Sequence, residues 1–246
     1  MNPEFETAPD RPSTSAPPAR RYFRPQWRGE SPTTDALLVC LLVYGLALLA
    51  SNVFATLQPI RYAFVAGQLL LCFALSILAL WRLSPSFVVQ RLACTDLARS
   101  AFIGFQHAVF SFPVVIGISG LLNFVVRDRE LHPALTDVQT MDAGTIALVG
   151  LSAVVAAPLA EELLFRGLVL SWLAARIPPW GAVLLSSLLF GLAHFPLWPD
   201  PIPLTFFGVV LGLSYVHTQS LWTPIFLHAA FNAANIAVSW ALFHPP

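Results

Sequence analysis

Glu161, Glu162 and Arg166 stand inside an apolar run that extends from Ala143 to Ala175. Two adjacent carboxylates and a guanidinium thus occupy a segment long enough to cross a bilayer core of about 30 Å. Each charge held at that depth costs roughly 2.5–3.5 kcal/mol on insertion scales, so such groups persist only when paired, hydrated or used. This constraint decides the fold class first. A chain that buries these groups must close its backbone hydrogen bonds within helices, because lipid offers no partners.

The 246 residues are 57% hydrophobic and 11% charged, with a mean hydropathy of +0.71. Soluble domains carry about 25% charged residues, so this surface is built for lipid. Apolar segments fall at 36–56, 62–81, 101–126, 143–175, 181–194, 204–216 and 221–243. The expected fold is an all-α polytopic transmembrane bundle of about seven spans. An eighth, amphipathic helix is expected in the 82–100 loop. Residues 1–35, rich in Pro, Ser, Thr and Arg, are expected to form a disordered tail. Residues 36–142 form an N-terminal set of transmembrane helices, and residues 143–246 the core that carries the chemistry.

All thirteen basic residues are Arg, balanced by thirteen acidic ones. The net charge of zero leaves no basic field for nucleic acid. The arginines concentrate in the tail, in the 82–100 loop and at Arg176, which predicts a cytoplasmic N-terminus. Cys40, Cys72 and Cys94 show neither a disulfide framework nor a zinc spacing.

Polar side chains inside the apolar runs are few. Glu162 and Arg166 are four apart, on one helix face, as an ion pair requires. Glu161 is turned about 100° from Glu162 and is free for another role. Phe190 and His194 repeat the four-residue spacing, as do His228 and Asn232. Pro158 lacks an N–H and is expected to free a carbonyl one turn earlier. Taken singly, each set has a structural reading: a buried pair, an interfacial histidine, hydrogen-bonding glue between helices. Together they suit hydrolysis in a membrane cavity. A carboxylate and an imidazole flanking one water make a general-base pair, and an Asn amide or second His can stabilise an oxyanion. Glu161, His194 and His228 could instead hold a divalent zinc with one open position. No Ser or Cys stands with a base here, which disfavours a covalent nucleophile.

These segments resemble a known family. Glu161-Glu162-Leu163-Leu164-Phe165-Arg166 matches a Glu-Glu-x-x-x-Arg motif, Phe190 to His194 a Phe-x-x-x-His motif, and His228 to Asn232 a His-x-x-x-Asn motif. The chain is similar over 143–243 to the CPBP intramembrane proteases, which include type II CAAX prenyl proteases and Abi-type immunity proteins. The resemblance implies an intramembrane endopeptidase acting on a membrane-associated or lipid-modified protein. Glu161, assisted by His194, would activate water. Asn232 with His194 would contact the carbonyl oxygen. Glu162, Arg166 and His228 would orient them, with Phe190 supporting. Family members are described as metalloproteases and as metal-independent glutamate proteases, so zinc remains open at this stage. The short loops resemble a bacterial member, in the cytoplasmic membrane. The competing reading is a non-catalytic immunity scaffold or a proton or ion carrier that uses the same polar cluster. The oligomeric state is not specified by the sequence.

Overall fold

The computed structural model describes residues 30–54, 61–126, 143–195 and 198–243, and every regular element among them is helical. The tail at 1–29 and the acidic loop at 127–142 lie outside the described residues. The helices are α1 (Thr34–Phe54), α2 (Arg61–Leu83), α3 (Pro85–Arg91), α4 (Leu97–Val125), α5 (143–174), α6 (Pro179–Leu192), α7 (Pro201–Thr218) and α8 (Trp222–Phe243). The expected segments are all found, with ends shifted by a few residues. Pro178 and Pro179 start α6, and Pro201 starts α7, where a missing N–H costs nothing. The 82–100 loop contains α3 as expected, and it buries Phe87, Val88 and Arg91.

Among the described residues, four segments are long and apolar enough to cross a membrane: Phe64–Leu83, Pro85–Val125, Gly144–Ala174 and Pro201–Thr218. Thr34–Ala50 and Pro179–Leu192 are shorter apolar helices. The protein is therefore an all-α membrane bundle. Large apolar side chains point outward along these helices; Phe124 is 85% exposed and Phe110 75%. In water such a surface would be an aggregation hazard, whereas in lipid it is the natural exterior.

α1 pairs with α2, α6 with α7, and α4 with α8, while α5 threads the middle and touches α2, α7 and α8. Close approach depends on small residues, as it does between membrane helices generally. A Cβ on Gly104 would lie 2.7 Å from the Thr223 carbonyl and 2.9 Å from the Leu227 nitrogen, so α4 meets α8 backbone to backbone. A Cβ on Gly208 would lie 3.1 Å from Ser187 Cα, which sets the α7–α6 crossing.

α5 is not a uniform α-helix. Its turns widen to π geometry at Ser152–Ala156 and again at Leu163–Leu170, on either side of the two glutamates. The Ala157 N–H bonds the Ser152 carbonyl five residues back. In that register the next donor, for the Ala153 carbonyl, would be the nitrogen of Pro158, which has no proton. The freed carbonyl is thus Ala153, one residue earlier than a regular α-helix would place it.

Candidate active site

Side chains of three other helices donate to backbone carbonyls of α5, among them the Ala153 carbonyl freed at its first wide turn. Asn232 Nδ2 on α8 donates to the Ala153 carbonyl at 2.7 Å. The Tyr44 hydroxyl on α1 donates to the Ala160 carbonyl at 2.5 Å. Ser186 Oγ on α6 donates to the Phe165 carbonyl at 2.8 Å. Inside a bilayer each such group left bare would cost several kcal/mol. These bonds therefore orient α5 about its own axis relative to three neighbours. That fixes which way Glu161 and Glu162 point.

Glu162 and Arg166 are both fully buried and paired at 3.0 Å through Oε1 and Nη1. Arg166 Nη2 donates to the Gly208 carbonyl of α7 at 3.1 Å. Its guanidinium carbon sits 4.5 Å over the Phe190 ring, an attractive placement for a desolvated cation. Glu162 Oε2 and Arg166 Nε have no hydrogen-bond partner among the described residues. A buried pair left partly unsatisfied is a poor source of stability. Its retention points to use.

That use is visible in His228. Its Nδ1 lies 2.7 Å from Glu162 Oε1. A carboxylate already paired to Arg166 only accepts, so the network assigns the Nδ1 proton to the imidazole. His228 Nε2 then faces Glu161, 3.9 Å from Oε2. Two acceptors so close call for a proton between them, carried by the imidazole or by water. The ring is held edge-on by Phe190, with centroids 5.8 Å apart, and by Phe207, 5.5 Å apart. Glu161 is the open member of the set, with its side chain 25% exposed.

His194 sits just past the end of α6 and is half-buried. Its Nδ1 lies 2.9 Å from the Phe190 carbonyl, which assigns it the proton and leaves Nε2 as an acceptor. Its ring packs 5.2 Å from that of Phe190. No hydrogen bond or ion pair among the described residues joins it to Glu161, so the structure brings Glu161 to His228 rather than to His194. Among the described residues, no three His, Cys, Asp or Glu side chains gather as a metal-ligand group. Glu161, His194 and His228 therefore do not fit a zinc site as arranged here.

Two contributors escaped the sequence. Tyr44 lies in the apolar middle of α1 and carries no spacing signal. Phe207 looked like any core aromatic, yet it stacks on Phe231 at 4.1 Å and backs His228. The four-residue spacing of Gly208 and Gly212 suits close helix packing, but nothing in it tells that the Gly208 carbonyl receives Arg166.

An all-helical bundle that buries a carboxylate–imidazole–carboxylate cluster in its interior belongs to the class of polytopic membrane proteins with an intramembrane polar site. Within that class, residues 143–234 match the model of the type II CAAX prenyl endopeptidase Rce1-like family. The chain is also 29% identical over 136 residues to the Bacillus subtilis (strain 168) protein named "Putative membrane peptidase YdiL", covering 54% of this chain and 52% of that protein. It thus spans about half the length of the curated relative it matches. No solved structure matches the chain.

Proposed function

We propose that this protein is an intramembrane endopeptidase that hydrolyses a peptide bond of a membrane-associated or lipid-modified protein with a water activated by Glu161. The observation that carries this reading is the bracketing of His228 by both glutamates, at 2.7 Å and 3.9 Å. The family match and the relative's name support it at the level of class.

In this mechanism the water oxygen attacks the scissile carbonyl carbon while the Glu161 carboxylate takes the water proton. His228, oriented through Nδ1 by the Glu162–Arg166 pair, presents Nε2 beside Glu161 and keeps the water and that carboxylate aligned. His194 offers its Nε2 from the mouth of the site. Asn232 has one N–H committed to Ala153 and a second available for the tetrahedral oxyanion. As the C–N bond breaks, the proton held by Glu161 passes to the departing nitrogen. No step runs through a metal. An N-terminus on the cytoplasmic side of a bacterial membrane, as the arginine pattern predicts, forms part of the proposal.

The decisive experiment compares membrane proteomes of cells carrying the protein and its Glu161→Gln variant. New peptide ends that appear only with the former identify the substrate. Identical termini in both would end the proposal.

A proton carrier is the competing reading, and one observation bears on it. Polar groups continue from the cluster toward the arginine-bearing end, where Ser171 Oγ contacts the Tyr215 hydroxyl at 2.9 Å. Ser171 meets the cluster at the Arg166 backbone carbonyl, also at 2.9 Å, and a carbonyl of this kind relays no proton, which favours hydrolysis. Proton flux into liposomes that is lost in Glu161→Gln would reverse the preference.

A further inference from the structure

A cavity lies outside the buried cluster, between α4 and α7, with a volume of about 480 Å³. That is within the range of roughly 300–1,000 Å³ usual for ligand sites. α7 separates it from the cluster. Phe207 on the inner face of α7 backs His228, while Phe206 and Val210, on another face, line the cavity.

The lining is ordered along the membrane normal. α4 and α7 run antiparallel, since His107 meets Ser214 while Val114 shares the groove with Phe206 and Val210. His217 stands at the last turn of α7, at the end of the bundle that carries Arg91 and Arg99. There the backbone turns at Gln219, whose carbonyl accepts a bond from Arg91 Nη1 at 3.1 Å. One to two turns deeper, His107 Nδ1 and Ser214 Oγ pair at 2.7 Å. Ser111 follows, and below it the walls are apolar. From His217 to Phe206 the groove runs about 16 Å, at 1.5 Å rise per residue. Among the described residues its lining contains no carboxylate.

We propose that this groove binds one acidic glycerophospholipid, with the phosphate end at His217 and His107 and an acyl chain laid along Val114, Val210 and Phe206. Three features select this occupant. The medium around the groove is lipid, as the 75% exposure of the adjacent Phe110 indicates. Donors concentrate at one end and apolar surface at the other, the polarity profile of an amphiphile. The titratable groups at the polar end are the imidazoles of His107 and His217 with no carboxylate among them, so a choline cation finds no anionic partner there, whereas an anionic headgroup meets no like charge. Among the described residues His107 Nε2 has no hydrogen-bond partner, and in the tautomer in which Ser214 donates to Nδ1 it would carry an N–H able to donate to an ester or phosphate oxygen. The proposal does not depend on peptide hydrolysis.

The test is native mass spectrometry of the full chain released from neutral detergent, titrated with dioleoyl phosphatidylglycerol or dioleoyl phosphatidylcholine. The expected result is one phosphatidylglycerol bound at least tenfold more tightly than phosphatidylcholine. His107→Phe should reduce that preference to less than threefold. Val114→Trp and Val210→Trp, which fill the groove from opposite helices, should each abolish the single-lipid peak in protein that keeps its helical circular dichroism. Glu161→Gln should bind as the unaltered chain does. Equal binding of the two lipids, or retention of the peak in both Trp variants, would overturn the proposal. So would a shift to dimer mass with no lipid, which would assign the groove to a second copy of the chain. Loss of binding in Glu161→Gln would move the lipid to the buried cluster and refute the groove equally.

Discussion

Glu161 and Glu162 are neighbours in sequence with opposite duties, and substitution should separate them. Glu161 is partly open and has no direct hydrogen bond among the described residues, so Glu161→Gln should lower the rate of peptide cleavage by about 10²–10⁴-fold, the span of general-base contributions, with the unfolding midpoint unchanged. Arg166→Met strips the fully buried Glu162 of its counter-charge and should cost about 3–5 kcal/mol in a mixed-micelle denaturation titration. A drop in stability for the first variant, or none for the second, would reverse these assignments. The i, i+4 spacings of Glu162/Arg166 and His228/Asn232 were readable because a helix places such residues on one face. What each faces was not. His228 and Asn232 leave α8 together yet find different partners, Glu162 Oε1 and the Ala153 carbonyl.

The two wide turns of α5 are the element on which this geometry depends. Pro158 supplies a cause for the first, and a double-mutant cycle can test it. Asn232→Leu leaves the Ala153 carbonyl bare and should cost about 1–3 kcal/mol. In a Pro158→Ala background a backbone N–H is restored one turn away, so the same change should cost less by about 1 kcal/mol. Strict additivity in the unfolding free energies would show that Pro158 does not govern that carbonyl. The α4–α8 crossing has a simpler determinant. Gly104→Val would drive a branched side chain against the Thr223 carbonyl and Leu227 nitrogen, so the protein should unfold at markedly lower denaturant. Retained stability would mean that the helices can separate. That Gly104 was a contact point could not be read from α4 alone, because Gly117 and Gly120 of the same helix have open space where a Cβ would go.

At the scale of the whole molecule, helices from both halves of the chain build the site: α1 through Tyr44, and α5, α6, α7 and α8 through the polar cluster. A fragment limited to residues 143–246 should accordingly lose activity even where it stays helical, in a cleavage assay against the full chain. Equal activity would confine the site to the C-terminal helices. The candidate ligands do not converge as a metal group, so exhaustive chelation should leave cleavage by the intact protein within twofold. Loss of activity that zinc restores would require His194 to move in beside Glu161 and His228.

The sequence by itself determined that the chain is helical and lipid-bound, because apolar runs this long admit no other backbone solution. It also determined which residues are too costly to keep idle, since a charge in an apolar helix needs a reason. Only the tertiary structure decided their pairing. Partner choice depends on the rotation of α5, and that rotation is set by α5 carbonyls bonded by Tyr44, Ser186 and Asn232. Those contacts span as many as 116 residues of chain and leave no periodicity to read.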